Sequence, residues 1–84
     1  MKTVIPGPNR LKITLDSNEI FPNDPGQGTP AIVEKGQCAG TFACALDTGI
    51  LLDKNGNDYS LTPSEVRWLE SQEQAVDNFI NNHS

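Results

Sequence analysis

Apolar and polar residues alternate strictly over residues 10–16, R-L-K-I-T-L-D. Leu11, Ile13 and Leu15 fall on one side and Lys12, Thr14 and Asp16 on the other, the period-two pattern of a strand with one buried and one wet face. Ala31–Lys35 (A-I-V-E-K) is a second, shorter strand, closed by a Gly36-Gln37 turn. Residues 38–46 form the most apolar segment; as a strand they would place Phe42, Cys44 and Leu46 on one face and Thr41, Ala43 and Ala45 on the other. Asp47-Thr48-Gly49 then serves as a turn into Ile50–Leu52, and Asn55-Gly56 is a hairpin signal returning the chain through residues 58–61.

The period changes after Thr62. Thr62 is an N-cap, Pro63 suits the first helical position, and Glu65 completes a capping box. One helix is expected from 63 to about 81. Trp68, Leu69, Ala75, Val76, Phe79 and Ile80 share an arc of about 140°, with Val66 at its margin and Glu70, Glu73 and Asp77 forming an acidic border. Residues 21–30 hold three of the six prolines and read as a loop, with Ile20 and Phe21 anchoring its start. The expected fold is α+β: a four- to five-stranded antiparallel meander with one C-terminal amphipathic helix packed on one face.

Length and charge narrow this further. Eighty-four residues allow one domain, divided into a flexible arm (1–9), a β-rich part (10–61) and the helix (62–82). Six Lys and Arg against eleven Asp and Glu give a net charge of −5, which argues against binding nucleic acid through its phosphates. Val4-Ile5 is the only apolar pair ahead of Pro6, too short for a signal peptide, and no apolar run approaches a membrane span. The expected location is cytoplasmic. In that compartment Cys38 and Cys44 are expected as reduced thiols acting as small core fillers; six residues apart on one strand, they would be separated by roughly 20 Å and unable to bridge.

Candidate chemistries meet specific obstacles. Asp47-Thr48-Gly49, after the apolar Cys44-Ala45-Leu46, resembles the active-site tripeptide of retropepsin-like aspartic proteases. In that family a small residue follows, whereas Ile50 follows here, and no later apolar pair precedes a glycine. Asp53, Asn55 and Asn57 have the spacing of a calcium loop, but Asp58 stands where that loop requires glycine and Ser64 where it requires glutamate. Gly26-Gln27-Gly28 opens no helix and has no lysine nearby, so it is not a phosphate cradle. The sole histidine, His83, falls at the expected frayed end of the helix, away from both cysteines. No cofactor, metal site or catalytic group is expected.

The expectation is therefore a small acidic non-enzymatic interaction or regulatory module, of the bacterial accessory or mobile-element kind, whose partner is a protein. The binding surface is assigned to the loop (Phe21, Pro22, Asp24, Pro25) with Trp68, because proline-ordered loops lose little entropy on binding and tryptophan dominates interface hot spots. The alternative surface is the acidic border Glu70, Glu73 and Asp77. Alternative functions are a homodimeric structural or small-ligand-binding protein and, more remotely, an acidic inhibitor imitating nucleic-acid charge.

Overall fold

Among the described residues, six antiparallel strands run in chain order across one sheet: β1 (Lys2–Pro6), β2 (Leu11–Asp16), β3 (Ala31–Lys35), β4 (Cys38–Thr41), β5 (Ile50–Leu52) and β6 (Asp58–Ser60). A short helix, α1 (Phe42–Thr48), bridges β4 and β5, and two helices, α2 (Pro63–Ser71) and α3 (Glu73–His83), follow the sheet. The computed structural model describes residues 2–20 and 28–83. The α+β class is as expected, with one strand more than the upper expectation.

The additional strand is β1. Residues 2–6 are not a flexible arm but pair with β2, Val4 opposite Thr14 and Ile5 opposite Ile13. The β1–β2 turn is closed by the Leu11 N–H donating to the Pro8 carbonyl. It holds two non-glycine residues, Asn9 (φ 55) and Arg10 (φ 64), in the left-handed region. Asparagine tolerates that region; arginine does so at a cost of roughly 1–2 kcal/mol. Two successive left-handed residues match the twist of a hairpin, which an alternation pattern cannot reveal.

Residues 38–46 are not one strand. Only the first four residues are extended, and the chain enters α1 at Phe42. The Thr41 hydroxyl accepts the Cys44 N–H at 3.1 Å and caps the helix. Gly49, at φ 69, ends it, its N–H donating to the Ala45 carbonyl at 2.9 Å. The helix buries Phe42 and Ala45, three residues apart on one face, and leaves Cys44 exposed rather than in the core. Asp47 and Thr48 are thus the last helical turn instead of an interstrand turn; the Thr48 hydroxyl donates to the Cys44 carbonyl at 2.8 Å.

The expected long helix is divided at Gln72 (φ −96, ψ −1). The Ser71 hydroxyl donates to the Trp68 carbonyl at 2.6 Å, and the Gln72 N–H turns back to the Leu69 carbonyl at 3.0 Å. A side chain competing for an i−3 carbonyl tightens and bends a helix. Beyond the break Val76 is buried and Phe79 and Ile80 are half-buried, while Ala75, expected on the apolar arc, is exposed.

Cross-strand pairing separates the two sheet faces. Leu11, Ile13, Leu15, Ala31 and Val33 point to the helix side and form the core with Phe42, Ala45, Leu51, Leu61, Leu69 and Val76. The other face carries the rows Val4–Thr14–Ile32–Thr41 and Pro6–Lys12–Glu34–Ala39–Leu52–Asp58. On this second face Val4 is 51% and Leu52 50% exposed. Among the described residues, no helix is long and apolar enough to cross a membrane.

Candidate functional site

Two constellations emerge from this arrangement. The first follows from strand parity. Leu11, Lys35 and Cys38 lie in one cross-strand row on the core side, so β3 delivers a lysine toward the helices. Its ammonium donates to Glu65 Oε2 at 2.7 Å and to Tyr59 Oη at 2.6 Å, and lies 5.0 Å from the Tyr59 ring centre. Glu65 is fully buried, at 0% exposure. Its other oxygen, Oε1, accepts the Thr62 N–H at 2.9 Å, while the Thr62 hydroxyl accepts the Glu65 N–H at 3.2 Å. One carboxylate thus caps α2 and neutralises the lysine of β3.

Burial alone would push the Glu65 carboxyl up. Hydrogen bonds from the Lys35 ammonium and from Thr62 outweigh that cost and hold it below the usual glutamate range. Hydrogen bonds to Glu65 and then Tyr59 raise the Lys35 ammonium above its ordinary range, against a smaller desolvation cost. Both groups stay charged near neutrality, so neither is poised to exchange a proton there. The arrangement is a structural clamp joining β3, β6 and α2.

The second constellation is an open groove of about 370 Å³. Pro30 and Ala31 at the start of β3, Phe42 and Ala43 on α1, and Val76 and Ile80 on α3 give it apolar walls. Asp77, exposed on α3, is its only ionisable lining group among the described residues. The groove is adjacent to Gly28 and Thr29, where the 21–30 segment re-enters the described structure.

The residues singled out from sequence are distributed unevenly around this geometry. Phe21, Pro22, Asp24 and Pro25 lie outside the described residues. Trp68 is half-buried on α2, its ring lying over Gly7 rather than beside the groove. Glu70, Glu73 and Asp77 are all exposed, yet they do not border a single depression. Asp77 lines the groove, whereas Glu70 lines a separate hollow with Arg67, Val66 and Gly49.

The calcium-like segment is occupied with its own backbone. Asp53 Oδ1 accepts the N–H groups of Asn55 and Asn57 at 2.8 and 2.9 Å. Those bonds, the one from Asn57 first, hold the Asp53 carboxyl below its ordinary range. Among the described residues no group of three or more His, Cys, Asp or Glu side chains could hold a metal.

Comparisons with protein-family models, curated proteins and solved structures return no match. The functional reading therefore rests on the geometry of this chain.

Two features escaped the sequence reading. The clamp was foreshadowed by parity, since Ala31, Val33 and Lys35 must share a face once the strand is accepted; a lysine there requires a carboxylate partner. The groove has no linear signal, because its walls come from three segments brought together by the α1 turn.

Proposed function

We propose that this chain is a non-enzymatic interaction module that receives a short apolar segment carrying a basic residue in the groove between α1, α3 and the start of β3. The observation that carries this reading is the pairing of apolar walls with one exposed carboxylate, Asp77, at the edge. Phe42, Val76 and Ile80 offer area for a bulky apolar side chain, and Asp77 favours a neighbouring lysine or arginine. Glu73 lies one helical turn before Asp77 and extends the negative field on that side.

Panning a displayed-peptide library against the full chain tests it. Enriched peptides should share a bulky apolar residue flanked by Lys or Arg. Ile80→Asp should abolish their binding, Asp77→Lys should weaken it and remove its salt dependence, and Trp68→Ala should leave it intact. Peptides lacking a basic residue, with binding unaffected by the Ile80 and Asp77 changes, would exclude the groove.

A second reading, self-association through the sheet face opposite the core, draws on the two exposed large apolar residues there, Val4 on β1 and Leu52 on β5. Sedimentation across a concentration series distinguishes it: a dimer dispersed by a Val4→Lys, Leu52→Lys double variant supports it, and a monomer throughout excludes it.

A further inference from the structure

The β5–β6 hairpin turns through a five-residue loop, 53–57, containing Asn55-Gly56, the only Asn-Gly pair in the sequence. We propose that Asn55 is a site of spontaneous deamidation and that the Asp53 carboxylate sets its rate.

The chemistry requires an asparagine side chain and an unhindered following amide. The Gly56 nitrogen, after losing its proton to solvent base, attacks Asn55 Cγ. The N–Cγ bond forms, the Cγ–Nδ2 bond breaks, and ammonia leaves with a proton from solvent, closing a five-membered succinimide. Water then opens the ring at one or the other carbonyl, giving aspartate or isoaspartate. Both residues are exposed, and a side chain at Gly56 would meet nothing within 4 Å. Solvent base and water therefore reach the reacting atoms unhindered.

The folded loop opposes the attack. The Gly56 N–H donates to the Asp53 carbonyl at 3.0 Å, closing a turn over residues 53–56. Lys54 and Asn55 both have negative φ, since the only non-glycine residues at positive φ among those described are Asn9 and Arg10. That is a type I turn. To bring the Gly56 nitrogen onto Cγ, Asn55 must rotate its ψ and break the closing bond. Asp53 resists this rotation through Oδ1, which holds the N–H groups on both sides, of Asn55 at 2.8 Å and of Asn57 at 2.9 Å. Its negative charge also disfavours the amide anion. The reaction proceeds through local opening of the loop, and Asp53 determines how often that occurs.

The product differs from the parent in two ways. It adds one negative charge at the loop, and the isoaspartyl form adds a main-chain methylene between residues 55 and 56. The loop then cannot retain both Asp53 bonds in the same register.

The test incubates the full chain, the Asp53→Ala variant and a free peptide of residues 50–60 in mildly alkaline buffer. Chymotryptic mapping, which leaves residues 53–59 on one fragment, measures the mass gain and separates the two isomers. The native chain should be modified at Asn55 ahead of Asn9, Asn57 and Asn78, about tenfold more slowly than the peptide, a factor matching one or two lost hydrogen bonds. Asp53→Ala, which loses the carboxylate bonds but keeps the main-chain bond from Gly56, should speed the reaction several-fold without reaching the peptide rate, and Asp53→Asn, which keeps an acceptor oxygen without the charge, should fall between the native chain and Asp53→Ala. Asn55→Gln should suppress the mass gain. An Asn55 that stays intact while the peptide converts fully would overturn the site. Equal rates in the native chain and Asp53→Ala, with both folded by circular dichroism, would overturn the role of Asp53.

Discussion

Gly7 is the position where one added methyl group tests how β1 is held to the helices. Its backbone is extended (φ −136, ψ −169), so alanine fits it without strain. On entropy alone Gly7→Ala would stabilise the fold by about 0.4–1 kcal/mol, because alanine restricts the unfolded chain. Space reverses the sign. The new Cβ would lie 2.6 Å from both Cη2 and Cζ2 of Trp68 and 2.8 Å from Cε2. Carbon atoms rest at about 3.5–4.0 Å, so the ring or the hairpin must move by about 1 Å. A rigid indole beside fully buried Leu69 cannot yield by bending a flexible tip. Overpacking of this kind costs about 1–3 kcal/mol, and the net effect is a loss of about 1–2 kcal/mol.

The decisive assay is a double-mutant cycle with Trp68→Ala, followed by urea unfolding under far-ultraviolet circular dichroism. With the indole gone, the three closest contacts of the Cβ are removed, and Gly7→Ala should become stabilising by the entropic term of about 0.4–1 kcal/mol. The coupling should therefore be about 1.5–3 kcal/mol, within the range of residues in direct contact. In the parent background Tm should fall by about 4–8 °C per kcal/mol for a domain this small. The fluorescence of Trp68, the single tryptophan, should shift to the red in Gly7→Ala as the ring is displaced toward water. A cycle with zero coupling, or an alanine that stabilises both backgrounds equally, would refute the packing of the β1–β2 turn against Trp68 of α2.

Arg10→Gly should stabilise the protein by about 0.5–1 kcal/mol in thermal unfolding, because relief of the left-handed arginine exceeds the extra unfolded-state entropy of glycine. Thr41→Ala should cost about 1 kcal/mol through loss of the α1 cap, measured as a lower urea midpoint. For pH, the folded-state values of Glu65 and Asp53 are lowered, so their stabilisation is present above the usual carboxylate range and is lost as acid protonates them. That of Lys35 is raised, so its contribution is complete below the ordinary lysine range and is lost as pH climbs through the folded value. Urea midpoints should thus be flat between about pH 5 and pH 10 and fall on both sides; Glu65→Gln should flatten the part of the acid limb that Glu65 contributes. In native-state hydrogen exchange, amides near Leu69 should outlast those near Ile80.

How much of this was legible in the chain depended on whether the signal was local. Strand β2 and the start of α2 follow from alternation and from a capping box, both written within a few residues. Residues 38–46 misled because small residues satisfy two periods at once. Phe42, Cys44 and Leu46 fit an alternating strand, yet Phe42 and Ala45 fit a helix face equally well. The deciding marks were Thr41 and Gly49, a cap and a left-handed stop eight residues apart, and they outweigh alternation in so short a span. β1 was obscured by the prolines on either side of Gly7, although Pro6 closes an edge strand, where a missing N–H costs nothing. The break at Gln72 coincides with the Ser71 hydroxyl's bond to the Trp68 carbonyl, which no residue pattern announces. For the site, Asp77 was visible as part of an acidic border, but its apolar companions Phe42 and Ala43 could not be placed until α1 was known.

The two constellations stand at opposite ends of β3. Lys35 at one end is held by Glu65 and Tyr59, which ties the first turn of α2 to the sheet with charge-assisted hydrogen bonds. Ala31 at the other end, about 13 Å away along an extended strand, borders the groove. From the clamp outward the helical arm is anchored by Leu69, at 0% exposure, then by buried Val76 past the break at Gln72, and finally by half-buried Phe79 and Ile80. Anchoring therefore weakens from the clamp toward the groove. A segment with fewer buried contacts opens at lower free energy than one held at several points. The end of α3 is thus the part of the arm with the fewest buried anchors, while the clamp holds α2 in register on the sheet. An all-apolar substitute for Lys35 and Glu65 could fill the same volume, but it would supply neither the second half of the capping box nor a directional bond to β3. The Lys35–Glu65 pair thus sets the register of α2 on β3 through a directional bond, at the end of the strand opposite the groove lined by α1, α3 and Ala31.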